Sequence, residues 1–293
     1  MRVLYIMGGF YLAALFFLWA GRYGKVSRRI AVLVATVCLL AGSGALAAAV
    51  VPFGNGYGKT VTRLTDLSGA AETPTPVGAP GQTDVAGSGK VTPVAVASGR
   101  YIALTFDDGP YPPYTNRLLD VLKEKKAHVT FFLVAEQAQR YPELVKRMAE
   151  EGHTIGLHAL RHRDFLRLTE EEKQKDLETG KIILQGITGK EPVYWRPPHG
   201  FRDFSVMETA ALQKLTVVNW SATPRDWTGI GKQEIYNRVI DKAEDGAIVL
   251  LHDGDSPFYK ASRQATVDAV ALLIDSLREK GYHLLSLEEY AQR

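Results

Sequence analysis

The sequence contains only one cysteine in 293 residues, and this residue, Cys38, lies within an apolar run. A single cysteine excludes a disulfide framework and a thiolate metal site, so histidine and carboxylate side chains must supply any metal ligands. Acidic residues are absent from residues 1–65, which contain seven basic ones. The remaining chain has 28 basic and 32 acidic residues, so the formal net charge of +3 arises at the N-terminus. This distribution gives no indication of a nucleic-acid-binding face.

Two long apolar runs occupy the N-terminal fifth of the chain, at residues 3–20 and 30–51, with a basic loop between them. Each run is about the length of a transmembrane helix. By the positive-inside rule, the basic loop is expected in the cytoplasm and the downstream chain outside it. We predict that residues 1–51 form a two-helix anchor in the cell membrane, with an extracytoplasmic domain following. The alternative is a signal peptide over residues 22–49, which exports the same domain.

Residues 52–99 are rich in Gly, Pro, Thr, Ser and Ala, with few large apolar side chains and no periodicity. Such a composition is typical of a flexible tether. The sequence therefore predicts a linker over residues 52–99 and a folded domain over residues 100–293.

The predicted domain alternates between strand-like and helix-like segments. The predicted strands are Tyr101–Phe106, Val129–Val134, Thr154–Leu157, Val193–Arg196, Thr216–Trp220, Ala247–Leu251 and His283–Leu285. The predicted helices are Tyr114–Lys126, Pro142–Glu151, residues 169–186, Ser205–Leu215, Lys232–Ala243 and Ala261–Lys280, with a last helix capped by Ser286. This alternation predicts an α/β fold with a parallel sheet or barrel. In such folds, reactive residues collect at the carboxyl ends of the strands.

Two adjacent carboxylates, Asp107 and Asp108, follow the first predicted strand and precede a Gly-Pro turn. Successive side chains of a strand point in different directions, so one acid is suited to bind a cation and the other to accept a proton. The alternative is an Asx-type turn in which the side chain only fixes its own backbone.

A histidine pair, His158 and His162, follows the third predicted strand. A spacing of four residues suits two imidazoles on one metal ion, although a surface or core pair is the alternative. Together with one carboxylate and open positions, the pair fits a catalytic zinc ion or a similar divalent cation.

A proline-set turn, Trp195-Arg-Pro-Pro-His-Gly200, follows the fourth predicted strand. Arg196 offers a rigid fork for a carboxylate, or is a structural arginine. His199 is either a third imidazole at the site or a surface residue, and the sequence does not distinguish these interpretations.

His252 follows the most apolar strand of the chain. A partly buried histidine beside a carboxylate has a raised pKa and acts as a proton donor. Asp226, in the loop after the fifth predicted strand, is the favoured partner, and Asp253 is the second choice. The alternative is a satisfied core histidine.

In order, the motifs Thr-Phe-Asp-Asp-Gly-Pro, His-x3-His, Arg-Pro-Pro-x-Gly, Asp-Trp and Leu-x-His resemble those of polysaccharide deacetylases of the NodB-homology type, carbohydrate esterase family 4. The resemblance covers about residues 100–293. It implies a distorted (β/α) barrel of about seven parallel strands. It also implies metal-dependent hydrolysis of N-acetyl groups on a glycan, with zinc, cobalt, nickel or manganese as the single divalent ion.

The resemblance further implies a role for each motif residue. Asp107 is the expected base, positioned by Arg196, and His252 the expected acid, oriented by Asp226. The expected metal ligands are Asp108, His158 and His162. The expected substrate contacts are Trp227 and Leu250 in an acetyl pocket, Pro198 in the proline turn, and the His199 backbone N–H at the oxyanion.

Three positions depart from the family pattern. Ala159 stands where Ser or Thr is usual, so a loop hydrogen bond is lost; His199 stands where tyrosine is common, and Thr223 where many members have Asp. These departures bear on substrate preference. Peptidoglycan is the favoured substrate, because the domain is predicted to be exported and anchored. The alternatives are a lipid-linked sugar, an exopolysaccharide, a small non-sugar amide, and a non-catalytic tethered glycan-binding protein.

Overall fold

The computed structural model describes residues 60–67, 99–255 and 262–293. The predicted membrane anchor and most of the predicted linker lie outside these residues. Among the helices within the described ranges, none is long and apolar enough to cross a membrane.

Contacts between residues divide the chain into two units. The larger unit comprises Thr60–His199 and Thr209–Arg293. Of the smaller unit, only Gly200–Glu208 falls within the described residues. The sheet and the site lie in the larger unit.

Seven parallel strands within the described ranges confirm the predicted α/β sheet. They are β1 (Arg100–Asp107), β2 (Thr130–Val134), β3 (Thr154–Ala159), β4 (Tyr194–Trp195), β5 (Thr216–Val217), β6 (Ala247–His252) and β7 (Tyr282–Leu284). The order is β5-β4-β3-β2-β1-β6, and β7 pairs with the start of β1. The chain beyond β5 returns to the opposite edge, where Ala222 bridges to Val249 of β6. This bridge links the two edges of the sheet, as expected for a distorted barrel.

The register of β1 and β6 determines how the site is built. The two strands are parallel neighbours, and Asp107 is paired with His252. Paired residues of adjacent strands point to the same face of a sheet. The last residues of these two strands therefore lie side by side at the carboxyl end.

Eight α-helices in the described ranges connect or flank the strands. They are α1 (Tyr114–Glu124), α2 (Ala135–Arg140), α3 (Pro142–Glu150), α4 (Glu170–Thr188), α5 (Phe204–Leu212), α6 (Lys232–Ile240), α7 (Gln264–Glu279) and α8 (Leu287–Ala291). The predicted capping box at the start of α4 is present, since Thr169 Oγ1 accepts from the Glu172 N–H and Glu172 Oε2 accepts from the Thr169 N–H. Helix α2 was not predicted.

The segment Thr60–Leu67 corrects the predicted linker, because it packs on the folded domain. Val61, Leu64 and Leu67 are buried in one apolar cluster with residues of the sheet. The Val61 N–H donates to the Val217 carbonyl over 2.9 Å, which extends the sheet beyond β5. The linker prediction is wrong for this segment. Its three apolar residues, spaced three apart, bury their side chains against the sheet although the residues around them are mostly polar.

Candidate active site

Arg196 holds Asp107 at the end of β1. The guanidinium is fully buried, and its Nη1 donates to Asp107 Oδ1 over 2.7 Å and to Thr105 Oγ1 over 2.8 Å. Its remaining nitrogens donate to the carbonyls of Val218 and Asn219. Burial lowers the pKa of Arg196, and the charge of Asp107 opposes this effect. Four hydrogen-bond acceptors fix the orientation of the guanidinium, and the guanidinium in turn fixes the orientation of the Asp107 carboxylate.

Asp108, His158 and His162 form the one group of potential metal ligands found among the described residues. Asp108 has a φ of 76°, in the left-handed region that is uncommon for residues other than glycine. Asp108 Oδ1 lies 3.4 Å from His158 Nε2 and 3.3 Å from His162 Nε2. In the part of the chain described, this buried oxygen has no hydrogen-bond partner. Three converging ligand atoms, one of them this buried carboxylate oxygen, fit a divalent cation between them.

A hydrogen bond at one ring nitrogen of His158 leaves the other ring nitrogen, Nε2, available to bind a metal ion. Its Nδ1 lies 2.7 Å from the Arg196 carbonyl, which only accepts, so Nδ1 carries the proton and Nε2 presents its lone pair. Burial opposes ionisation of Asp108, but the adjacent His158 ring and the charges of His162 and His252 hold the pKa of Asp108 well below its usual range. Burial lowers the pKa of His162 to about 4, against the attraction of Asp108. A carboxylate and neutral imidazoles are the forms that bind metal.

His252 is oriented by Asp226 rather than by Asp253. His252 Nδ1 lies 2.8 Å from Asp226 Oδ1, and the His252 backbone N–H donates to Asp226 Oδ2 over 2.8 Å. The hydroxyl of Thr266 also donates to Oδ2. Burial alone lowers the pKa of His252, but the carboxylate of Asp226 and the charges of the two adjacent aspartates outweigh it and raise this pKa.

The predicted substrate contacts lie around these groups. The ring of Trp227 is edge-on to His252, with 5.1 Å between centroids, and the indole is partly exposed. Leu250 precedes His252 by two residues on β6, so both lie on one face of the strand, and Leu250 is buried. Pro198 is buried, whereas His199 is partly exposed.

His199 is close to the histidine pair. Its backbone is left-handed, with a φ of 61°, and its ring is edge-on to His162 at 4.7 Å between centroids. Burial lowers the pKa of His199, and the charge of His158 adds to this effect. Its ring thus lies beside the cluster, which argues against the surface interpretation, but His199 is not one of the three converging ligands.

Asp253, the second choice as partner of His252, has another contact. Its Oδ2 accepts from Thr115 Oγ1 over 2.5 Å. Gly109 lies against the same carboxyl group, since a Cβ there would be 2.3 Å from Oδ2. Burial, with the charges of Asp108 and Asp107, raises the pKa of Asp253 to about 7.

Three residues that support the site have no role predicted from the sequence: Thr105, Asn219 and Thr266. Thr105 had a detectable signal, because it precedes Asp107 by two residues and so shares its strand face. Asn219 contributes only a backbone carbonyl, and Thr266 reaches Asp226 from α7. These two contacts depend on how distant segments pack, and no local pattern indicates them.

Several known proteins are similar to this chain. A family model described as polysaccharide deacetylase matches residues 95–218. A peptidoglycan-N-acetylglucosamine deacetylase of Bacillus cereus is 38% identical over 204 residues, which are 69% of this chain and 93% of the relative. A chitooligosaccharide deacetylase of Bradyrhizobium sp. is 35% identical over 201 residues, which are 66% of this chain and 92% of the relative.

A solved structure agrees with these matches. The crystal structure of the Bc1960 peptidoglycan N-acetylglucosamine deacetylase superimposes with a TM-score of 0.62 and 32% identity, covering 67% of this chain and 89% of that one. The relatives are hydrolases that act on N-acetyl groups of carbohydrates. The chain belongs to the polysaccharide deacetylases of the NodB-homology type, carbohydrate esterase family 4.

Proposed function

We propose that this protein removes N-acetyl groups from peptidoglycan by metal-assisted hydrolysis, at the outer face of the cell membrane. The observation that supports the proposal most is the register of β1 and β6, which pairs Asp107 with His252 next to the cluster of Asp108, His158 and His162. A proton acceptor, a proton donor and a metal-binding group are the parts that hydrolysis of an amide requires.

Asp108, His158 and His162 are the proposed ligands of one divalent ion, for which zinc fits best. Two imidazoles and one carboxylate with open positions are typical of catalytic zinc, and cobalt, nickel and manganese are alternatives. When bound, the ion acts as a Lewis acid toward the amide carbonyl and lowers the pKa of a coordinated water.

The side chains of the chain carry the proton transfers in this proposal. Asp107, fixed by Arg196, accepts a proton from the attacking water. His252, held by Asp226, donates a proton to the departing amine, which is a poor leaving group unless protonated. The backbone N–H of His199 is the proposed donor to the oxyanion.

Two side chains are the proposed acetyl pocket. Trp227 and Leu250 both lie beside His252, and apolar surface there suits the methyl of an acetyl group. Pro198 precedes His199 in the proline-set turn and is a further proposed substrate contact.

Peptidoglycan is favoured over other glycans by two observations. The Bacillus cereus relative is named for N-acetylglucosamine in peptidoglycan, and the N-terminal sequence predicts a membrane anchor. Within peptidoglycan, N-acetylmuramic acid is the alternative to N-acetylglucosamine; chitooligosaccharides, an exopolysaccharide and a lipid-linked sugar are the competing substrates outside it.

The direct test is acetate release by the full-length protein from peptidoglycan and from chitooligosaccharides, with and without a chelator. We expect faster release from peptidoglycan, and loss of activity on chelation that zinc restores. A faster reaction on chitooligosaccharides would contradict the substrate, and no acetate from any glycan would favour a non-catalytic binding protein.

The proposed proton carriers are tested in the same assay. Asp107→Asn and His252→Ala should each lower kcat by roughly 10²–10⁴-fold, the usual contribution of positioned proton transfer, while zinc content stays unchanged. Asp268→Asn, at an exposed position of α7, is the matched control. Undiminished turnover in either variant would contradict the assigned role.

A further inference from the structure

The loop between the two proposed histidine ligands is attached to the fold at Leu160. The Leu160 N–H donates to Asp176 Oδ1 over 2.7 Å, and the Leu160 carbonyl accepts from the Glu136 N–H over 3.2 Å. Both partners lie outside the loop, one on α4 and the other on α2. The middle of the loop is therefore held from two sides.

Asp176 contacts the loop on both sides of His162. Its side chain is fully buried, and its second oxygen, Oδ2, lies 3.4 Å from Nη2 of Arg163, the residue after His162. Burying a carboxylate costs free energy unless hydrogen bonds or ion pairs compensate. The contacts with Leu160 and Arg163 provide this compensation for Asp176.

The two histidines differ in how their rings are fixed. His158 lies in β3 and is oriented by the bond from Nδ1 to the Arg196 carbonyl. His162 lies in the loop, and its Nδ1 has no hydrogen-bond partner in the described part of the chain. The ring of His162 contacts the rings of His158 and His199, and its Nε2 lies 3.3 Å from Asp108 Oδ1, so the loop backbone has a larger part in positioning it. Ala159, also beside the loop, offers only a methyl group and cannot donate a hydrogen bond.

We propose that Asp176 is a positioning residue for the metal site, which holds the His158–His162 loop so that His162 faces Asp108. The inference rests on the proposed metal site and adds a residue that touches neither metal nor substrate. Residues that orient metal ligands from outside the coordination shell typically change metal affinity by roughly 10- to 100-fold when they are removed.

The test is the zinc dissociation constant of the full-length protein, measured by competition with a chromophoric chelator. Asp176→Ala should raise this constant by roughly 10- to 100-fold, and Asp176→Asn, which keeps an acceptor for the Leu160 N–H, should recover most of the affinity. Glu178→Ala, at an exposed position of the same helix, is the control and should leave it unchanged. A folded Asp176→Ala protein within twofold of wild type, or an Asn variant as weak as the Ala variant, would overturn the proposal.

A second measurement needs no variant. In the metal-free wild-type protein, the Leu160 amide should exchange its hydrogen as slowly as amides of β3, because the buried carboxylate of Asp176 accepts its N–H. Exchange as fast as that of an exposed loop amide would refute the attachment even if Asp176→Ala does not fold. The two proposals also fail differently: a wild-type protein that binds no zinc contradicts the metal site, whereas rapid exchange at Leu160 contradicts only the role of Asp176.

Discussion

His252 is subject to two opposing effects. Burial disfavours the charged imidazolium, whereas the Asp226 carboxylate, 2.8 Å from Nδ1, favours it, and the net effect raises the pKa of His252. A group that donates a proton to a leaving amine must be protonated before the reaction. The raised pKa therefore extends the pH range over which His252 serves as the proposed acid.

Replacing Asp226 should shift the pH dependence of the reaction in a defined direction. In Asp226→Asn the nearest negative charge is lost, so the pKa of His252 falls and its acid form is lost at a lower pH. The alkaline limb of the kcat–pH profile should therefore move to lower pH, as measured by acetate release across a pH series. Asp268→Asn, exposed on α7, controls for a general change in charge. An alkaline limb unchanged in Asp226→Asn would show that His252 is not the group titrating there.

At the scale of elements, the sequence predicts the position of a strand better than its length. Strand β6 is apolar up to its last residue, His252, and the sequence predicts it to within one residue, as Ala247–Leu251 against Ala247–His252. Of the predicted strand Thr216–Trp220, Thr216–Val217 pairs as β5, and Val218 makes an isolated bridge to Val61. Residue pattern indicates extended backbone, whereas pairing depends on partners distant in sequence.

The short helix α2 shows the same limit. Its residues are good helix formers, but it follows β2 directly, without a turn residue or a capping side chain. Six residues are too few for apolar periodicity to separate a helix from the end of a strand. Its place against α4 decides its conformation, and this contact is not visible in the local sequence.

The buried segment Thr60–Leu67 gives a prediction at the same scale. Leu64 is fully buried, so Leu64→Ala removes apolar contacts and leaves a cavity. We expect the free energy of unfolding to fall by about 2–5 kcal/mol, measured by denaturant unfolding. The same substitution at Leu212, which is 65% exposed, should cost less than about 0.5 kcal/mol. Equal effects at the two positions would mean that the segment is not part of the folded domain.

Across the whole molecule, strand order brings the site together. The sequence predicts that reactive residues follow several strands, but not which strands are neighbours. The order β3-β2-β1-β6 places His158, Asp108 and His252 on three strand ends within one rim. Arg196 reaches Asp107 across 89 residues of sequence. Motif residues could thus be predicted individually, whereas Asp176 and Thr266 could not, because they reach the site from helices whose packing no motif encodes.

Binding of one ion should stabilise the molecule, because its proposed ligands come from two elements that are not adjacent in the sheet. Asp108 follows β1 and His158 lies in β3, so an ion between them connects both strands across β2. An ion bound only by the folded state, at about 100 times its dissociation constant, adds about 2.7 kcal/mol to the free energy of unfolding. For a domain of this size, the melting temperature should rise by roughly 5–10 °C on adding zinc to chelator-treated protein.

The location of the ion decides how variants respond. His162→Ala removes one ligand, so it should abolish most of the zinc-dependent rise in melting temperature. His283→Ala, at an exposed position of β7 at the opposite end of the sheet, should retain all of it. The comparison requires both variants to melt cooperatively without metal, which scanning calorimetry reports directly. Equal zinc-dependent rises in melting temperature in the two variants would mean that the stabilising ion binds elsewhere, and not at the cluster of Asp108, His158 and His162.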